Sequence, residues 1–180
     1  MCETVKIDLF DLINSSGRAK SLSIEYPESV YSVDGVSYEI LKQSKIELRL
    51  ESVKVGHIHL EGSFDLTLVI PCDRCLKDVE CPLNLVLSRE LITKDKADIA
   101  GDDEDDQFSV LDGTEFDIVS YVNQEILMNL PSKILCDDAC KGLCPVCGCD
   151  QNVSECDCDT FVMDPRMAGI MDIFKGNKEV

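Results

Sequence analysis

A dense run of cysteines between positions 136 and 158 constrains the fold of this chain more than any other feature. Cys144 and Cys147 are separated by two residues, the spacing at which two thiolates reach one metal ion. Pro145 and Gly148 favour a tight turn that directs backbone N–H groups at sulfur. The pattern predicts a metal-binding knuckle. Seven of the eleven cysteines lie in this stretch, at positions 136, 140, 144, 147, 149, 156 and 158.

Four thiolates in a tetrahedral shell are a typical donor set for a structural zinc ion. Cys156 and Cys158 follow the knuckle after a short loop and could close such a shell. Because a CxC pair is geometrically tighter than CxxC, Cys140 could replace one of these two. The candidate ligands of one structural zinc are therefore Cys140, Cys144, Cys147, Cys156 and Cys158.

Other cysteines leave alternatives open. Cys136 is an alternate ligand, and the upstream pair Cys72 and Cys75 could complete a second site or join the knuckle. Cys81 falls on the apolar face of a predicted strand, where a free cysteine behaves as a small hydrophobic residue. No ligand role is predicted for Cys2, Cys81 and Cys149.

The cysteine pattern favours reduced thiols in the cytoplasm. The cysteine count is odd, CxxC spacings are present, and the N-terminus has no basic segment followed by an apolar run. No apolar run approaches the length of a membrane span. Thioredoxin-type redox catalysis is disfavoured, because the Cys72–Cys75 pair lies between two predicted strands instead of at a helix N-terminus. An iron–sulfur site is a minor alternative to zinc.

Alternation of apolar and polar residues predicts an antiparallel β-sheet covered on one face. The pattern is strongest over residues 46–50, 58–70 and 79–87, and shorter runs occur near positions 5–9 and 22–24. The predicted fold class is α+β: an antiparallel β-sheet body with one or two packing helices and a C-terminal cysteine-rich zinc-knuckle module.

Helical spacing of apolar residues after Asp117 predicts a helix over 117–130, capped by Asp117 and ended by Pro131. Asp164 and Pro165 read as the start of a second helix. The predicted organisation is a β-rich body over 1–131 that includes an acidic loop at 94–107, a cysteine-rich metal module over 132–162, and a C-terminal helix and tail over 163–180.

Charge indicates the kind of partner. The net charge is −18, and the segment 136–160 contains one lysine against six carboxylates. Nucleic-acid phosphates repel such a chain, whereas basic proteins attract it. We therefore expect a basic protein as partner, and no direct contact with nucleic acid. The acidic run 102–106 is either a docking surface for that partner or a solvated loop.

Catalytic motifs are missing from the sequence. It has no P-loop, dinucleotide-binding glycine pattern or nucleophile elbow, so neither an enzyme activity nor a small-molecule substrate is expected. His57 and His59 lie on the polar face of a predicted strand, where exposed side chains are expected.

These motifs, in this order, resemble the YceD family of large ribosomal RNA subunit accumulation proteins. The resemblance is carried by CDRC at 72–75, CKGLCPVCG at 140–148, Cys156-Asp157-Cys158, and Asp164-Pro165-Arg166. Gln151-Asn152 stands where the family commonly has a leucine–asparagine pair, and Cys149 is extra. The resemblance implies a non-enzymatic role in the accumulation of large-subunit (23S) ribosomal RNA in the cytoplasm. Together with the negative charge, it implies a basic large-subunit ribosomal protein or assembly factor as partner, with ribosomal RNA contacted indirectly. The alternative is a zinc- or redox-responsive cysteine switch.

Overall fold

The computed structural model describes residues 5–33, 35–94, 108–111 and 113–159, without the side chains of 108–110. The chain divides into two compact units. The first unit comprises Met1–Ile70 and Asp78–Ile134, and the second comprises Pro71–Lys77 and Leu135–Val180. The described part of the first unit contains the β-sheet and the helices, and that of the second contains the clustered cysteines.

Strands dominate the described part of the chain. In chain order the elements are β1 Lys6–Asp8, α1 Phe10–Ile13, β2 Ala19–Ile24, β3 Val30–Val33, β4 Val36–Gln43, β5 Ile46–Lys54, β6 His57–Pro71, β7 Asp78–Thr93, β8 Phe108–Leu111, β9 Glu115–Asp117 and α2 Ile118–Asn129.

Strand β6 is the centre of a seven-stranded sheet. Strand β5 pairs with the first half of β6, and β4 pairs with its second half. On the outer sides, β2 pairs with β5 and β3 pairs with β4. Strand β7 also pairs with β6, through a connection too short for a parallel crossover. The predicted antiparallel sheet is confirmed, with one exception, since β8 pairs in parallel with β7. Strands β1 and β9 form a separate antiparallel pair.

The predicted alternation corresponds to the observed burial. On β5, β6 and β7 every second side chain is buried, and the intervening ones are mostly exposed or half-buried. Phe64 is fully buried and its ring lies 5.3 Å from that of Tyr26. Cys81 belongs to the same core, as predicted. Burial of one apolar face is the main stabilising term for such a sheet.

Gly62 allows two strands of the sheet to approach closely. A Cβ atom at this position would lie 2.3 Å from the backbone oxygen of Glu47 on β5. Any larger residue would push β5 away from β6.

Helix α2 begins and ends as predicted. The Asp117 carboxylate accepts hydrogen bonds from the backbone N–H groups of Val119 and Ser120 at 3.1 and 3.2 Å. Pro131 follows the last residues of the helix. The helix packs on β7, where Arg89 forms an ion pair with Glu125 at 3.1 Å. Its buried side chains are Ile118, Val119, Tyr121, Val122 and Ile126.

Some predictions concern residues that the structure does not describe. The C-terminal helix and tail over 163–180 lie outside the described residues, as does the acidic loop except for its first residue, Lys94. The division into 1–131, 132–162 and 163–180 remains a prediction. Within the described ranges, no helix is long and apolar enough to cross a membrane.

Candidate metal centres

The second unit brings eight cysteines into two compact groups. Cluster A consists of Cys72, Cys75, Cys136 and Cys140, and cluster B consists of Cys144, Cys147, Cys149 and Cys156. Within each cluster all four sulfur atoms lie within 4.8 Å of one another. Four thiols in so small a volume can bind one soft or borderline metal ion.

A tight turn between β6 and β7 provides the first half of cluster A. The backbone N–H of Cys72 donates to the Lys77 carbonyl at 2.8 Å, and the N–H of Leu76 donates back to the Cys72 carbonyl at 2.9 Å. Leu76 has a φ of 62°, a left-handed conformation that is uncommon for a leucine. The turn thereby places the sulfur atoms of Cys72 and Cys75 on one side.

A second turn provides the other half. The Asp137 carboxylate accepts a hydrogen bond from the Ala139 N–H at 2.8 Å. The Asp137 backbone carbonyl accepts another from the Cys140 N–H at 3.0 Å. The Arg74 guanidinium donates to the Cys140 carbonyl at 2.5 Å. Residues from both turns therefore hold Cys140 next to the first cysteine pair.

The sulfur positions in cluster A fit a tetrahedral metal. Cys72 Sγ lies 3.9 Å from Cys140 Sγ, and Cys75 Sγ lies 3.5 Å from Cys136 Sγ. A tetrahedral zinc with bonds of about 2.3 Å requires sulfur separations of about 3.8 Å, whereas a disulfide requires about 2.05 Å. Cys72, Cys75 and Cys140 are buried and Cys136 is exposed. The donor set therefore fits a structural four-thiolate site.

Backbone N–H groups make one thiolate in cluster A favourable. The N–H of Cys75 donates to Cys72 and lowers the pKa of this thiol to about 6. The pKa of Cys136 is raised to about 12, chiefly by its interaction with the Cys75 thiol. A thiolate beside two thiols of raised pKa, Cys75 and Cys136, is an arrangement that a divalent cation can complete by displacing protons.

Cluster B is built on the turn predicted at Pro145 and Gly148. The N–H of Gly148 donates to the Cys144 carbonyl at 2.9 Å, and the N–H of Cys144 donates to the Cys149 carbonyl at 2.9 Å. Gly148 adopts the left-handed conformation that this turn requires, with a φ of 73°. The turn brings Cys144, Cys147 and Cys149 together, and Cys156 approaches from the following loop.

The pKa pattern in cluster B resembles that in cluster A. The backbone N–H of Cys149 lowers the pKa of Cys147 to about 6. The pKa values of Cys149 and Cys158 are both raised to about 12, first of all by their interaction with the Cys147 sulfur. Cys158 therefore adjoins cluster B, although it is outside the compact set of four.

Gly142 links the two clusters within the second unit. It has a φ of +83°, and a Cβ atom there would lie 2.9 Å from the Arg74 carbonyl oxygen. The next residue, Leu143, donates its N–H to that same oxygen at 3.0 Å, and Gln151 donates to the Gly142 carbonyl at 3.0 Å. Only glycine combines this conformation with this close approach.

Asn152 supports cluster A from the loop after the knuckle. Its side-chain nitrogen donates to the Cys140 sulfur at 3.4 Å, and its side-chain oxygen accepts from the Lys141 N–H at 2.8 Å. Asp150 orients the amide by accepting from its nitrogen at 2.7 Å. Groups that orient ligands in this way contribute to metal affinity. No role was predicted for Asn152 from the sequence, although its position shortly after the knuckle could have indicated one.

The structure groups the cysteines differently from the leading expectation of one site and agrees with its alternative, a second group that includes Cys72 and Cys75. Cys140 lies with Cys72, Cys75 and Cys136 and not with the knuckle. Cys149, for which no role was predicted, lies within cluster B. The reason is the turn at Gly142, which directs the residues before and after it to different clusters. Metal ligation by any of these cysteines remains a prediction.

The two histidines lie in the first unit. His57 and His59 are on β6 and are half-buried, not exposed as predicted. His59 lies 3.2 Å from the Glu61 carboxylate, and Val53, Lys54 and Glu90 line the same shallow depression. Neighbouring side chains therefore cover part of the strand's polar face.

Comparison with known proteins identifies relatives over most of the chain. Residues 60–174 match the family model of the large ribosomal RNA subunit accumulation protein YceD. YlbN of Bacillus subtilis is 35% identical over 151 residues, spanning 78% of this chain and 85% of that protein. Rv2926c of Mycobacterium tuberculosis is 27% identical over 162 residues, spanning 87% of this chain and 77% of that protein. Both relatives are described only as uncharacterised proteins.

No solved structure matches the chain. The matched segment contains both cysteine clusters, most of β6, all of β7 and helix α2. It covers more than half of the sequence and includes the motifs on which the resemblance rested. The chain therefore belongs to the YceD family.

Proposed function

We propose that this protein is a non-enzymatic ribosome-biogenesis factor that supports the accumulation of large-subunit (23S) ribosomal RNA in the cytoplasm. The observation that carries this proposal is the family match, because the family is named for the accumulation of large-subunit ribosomal RNA. The proposed route is binding of a basic large-subunit ribosomal protein or assembly factor, so that RNA is affected through a protein.

Charge supports the indirect route. The net charge of the chain is −18. A zinc ion bound by four thiolates keeps two negative charges, so metal loading does not make the cysteine module basic. An acidic surface raises the rate of encounter with basic proteins and repels phosphates. Free RNA is therefore an unfavourable ligand for this chain.

Zinc is the proposed metal of both clusters. The donor set is all thiolate, and the sulfur separations of 3.5 and 3.9 Å in cluster A match a tetrahedral ion. In this role zinc stabilises the second unit, and its chemistry is structural. The residues that would hold it are the four cysteines of each cluster.

Depletion of the protein in its native host tests the proposed role. We expect the ratio of 23S to 16S ribosomal RNA to fall and to recover when the wild-type gene is supplied. A Cys72→Ser and Cys75→Ser double variant should restore the ratio poorly, whereas the exposed Val86→Ala variant should restore it fully. An unchanged ratio after complete depletion would exclude the role.

A zinc- or redox-responsive switch is the second candidate. It is favoured by the exposure of Cys147 and the partial exposure of Cys149, Cys156 and Cys158. Thiols of a structural zinc site resist alkylation until a chelator is added, whereas switch thiols react without it. Alkylation before and after chelator treatment therefore separates the two candidates.

A further inference from the structure

The loop that connects Cys149 to Cys156 has both of its ends in cluster B and contacts cluster A. Because both cysteines are members of cluster B, a metal ion bound there would fix the two ends of the loop. Asn152 lies within the loop, and its side-chain nitrogen donates to the sulfur of Cys140, a member of cluster A, at 3.4 Å. Both clusters belong to the second unit. One side chain therefore joins a loop held by one candidate metal site to a ligand of the other.

The orientation of the Asn152 amide is fixed by its other hydrogen bonds. Its side-chain oxygen accepts the Lys141 N–H at 2.8 Å, and its nitrogen also donates to the Asp150 carboxylate at 2.7 Å. A rotated amide would place its oxygen against the carboxylate and its nitrogen against an N–H group, so only the observed orientation satisfies both partners. The nitrogen is therefore the end of the amide that faces the Cys140 sulfur.

The contact with Cys140 depends on the position of the loop. Asn152 is an exposed residue, so water would replace the sulfur as its partner if the loop moved away. The preceding residue, Gln151, holds one side of the loop by donating its N–H to the Gly142 carbonyl at 3.0 Å. Metal binding in cluster B would restrict the loop further and would lower the entropy cost of forming the Asn152–Cys140 contact.

We infer that Asn152 couples the two clusters, so that metal binding in cluster B strengthens metal binding in cluster A. This rests on the zinc binding proposed above. The amide N–H stabilises the negative charge of the Cys140 thiolate, and groups that contact metal ligands in this way contribute about 10- to 100-fold to metal affinity. Coupling between two sites is reciprocal, so binding in cluster A strengthens binding in cluster B by the same factor. The second unit therefore binds its two zinc ions cooperatively.

Zinc affinity of the full-length protein, measured by competition with a chromophoric chelator, tests the inference. A Cys144→Ser and Cys147→Ser double variant reports the binding constant of cluster A alone, and a Cys72→Ser and Cys75→Ser double variant reports that of cluster B alone. The coupling factor is the overall two-zinc binding constant of the wild type divided by the product of these two constants. We expect a coupling factor of about 10 to 100. When Asn152→Ala is added to all three proteins, the factor should fall below about 2, as for independent sites.

Val153→Ala is the matched control, because Val153 is the next residue of the loop and is 83% exposed. Added to the same three proteins, it should leave the coupling factor unchanged. A wild-type coupling factor of about 1 or lower would overturn the inference and leave the zinc proposal intact. A factor that Asn152→Ala does not reduce would do the same. A wild-type chain that binds fewer than two zinc ions would overturn both.

Cadmium-113 spectra of the doubly loaded protein provide a second test in which every ligand is kept. Asn152→Ala should shift the resonance of cluster A, because the amide contributes to the electron density on the Cys140 sulfur. This resonance is identified as the one missing from the Cys72→Ser and Cys75→Ser double variant. Both resonances should stay in place in Val153→Ala. An unshifted cluster A resonance in Asn152→Ala would show that the amide does not act on the Cys140 sulfur, and would overturn the inference.

Discussion

Replacement of Gly142 by alanine tests how the second unit is held together. Gly142 has a φ of +83°, and the added Cβ would lie 2.9 Å from the Arg74 carbonyl oxygen. That oxygen accepts the Leu143 N–H at 3.0 Å, so the oxygen cannot move away without lengthening a hydrogen bond. The substitution therefore combines backbone strain with the loss of a contact between the two cysteine-bearing turns.

The size of the effect follows from these two contributions. A left-handed conformation costs a non-glycine residue roughly 1–2 kcal/mol. A lost hydrogen bond adds about 1 kcal/mol. Because metal binding is coupled to the folding of such a module, a total of about 2–3 kcal/mol should appear as a roughly 30- to 150-fold loss of zinc affinity.

Competition with a chromophoric chelator measures this loss directly. Gly35→Ala is the matched control, because Gly35 has a φ of +80° with nothing within 4 Å and lies in the sheet unit. It should lower the free energy of unfolding of the sheet by a similar strain term and leave zinc affinity unchanged. If the two variants bind zinc equally well, the Gly142 contact does not hold the metal module together.

Three further predictions concern the sheet, the helix and the thiols. Phe64→Ala should lower the free energy of unfolding, measured in urea, by about 3–5 kcal/mol. Val86→Ala, at an 80% exposed position, should change it by less than about 0.5 kcal/mol. Equal effects of the two substitutions would contradict the assigned core. Asp117→Ala should cost about 1 kcal/mol in the same assay, because two backbone N–H groups lose their acceptor. In the metal-free protein, iodoacetamide should label Cys147 rapidly at pH 7 and more slowly as the pH falls through about 6, its lowered pKa. Cys158, with a pKa raised to about 12, should remain slow, and equal rates would indicate an unfolded cluster.

The sheet could be predicted where one face is buried and the other is not. Strands β5, β6 and β7 were identified because apolar and polar residues alternate along most of their length, and the burial of their side chains alternates in the same way. Strand β4 was not identified, although Val36, Tyr38 and Ile40 alternate with polar residues; most of its side chains are exposed and the alternation covers only five residues. Helix α1 has only four residues, too few for a helical repeat.

Seven of the eight clustered cysteines were named as candidates from the sequence, but Cys149 was not, and the place of Cys72 and Cys75 was left open between a second site and the knuckle. The cysteines of the knuckle are close in sequence, and their spacing alone indicates a shared ligand shell. In cluster A, Cys75 and Cys136 are 61 positions apart in the sequence, and Cys72 and Cys140 are 68 positions apart. Only the fold of the chain brings such distant residues together. Cys149 was passed over because the sequence contained more thiols than a single zinc requires.

Affinity purification of the tagged protein from growing cells, with and without ribonuclease, tests the proposed function most directly. We expect a basic large-subunit ribosomal protein or assembly factor to be retained after ribonuclease treatment. Its binding should weaken as salt rises, because attraction between exposed charges is screened over roughly 8 Å at physiological ionic strength. Tight, salt-insensitive binding to purified 23S ribosomal RNA, with no protein retained after ribonuclease, would contradict this account.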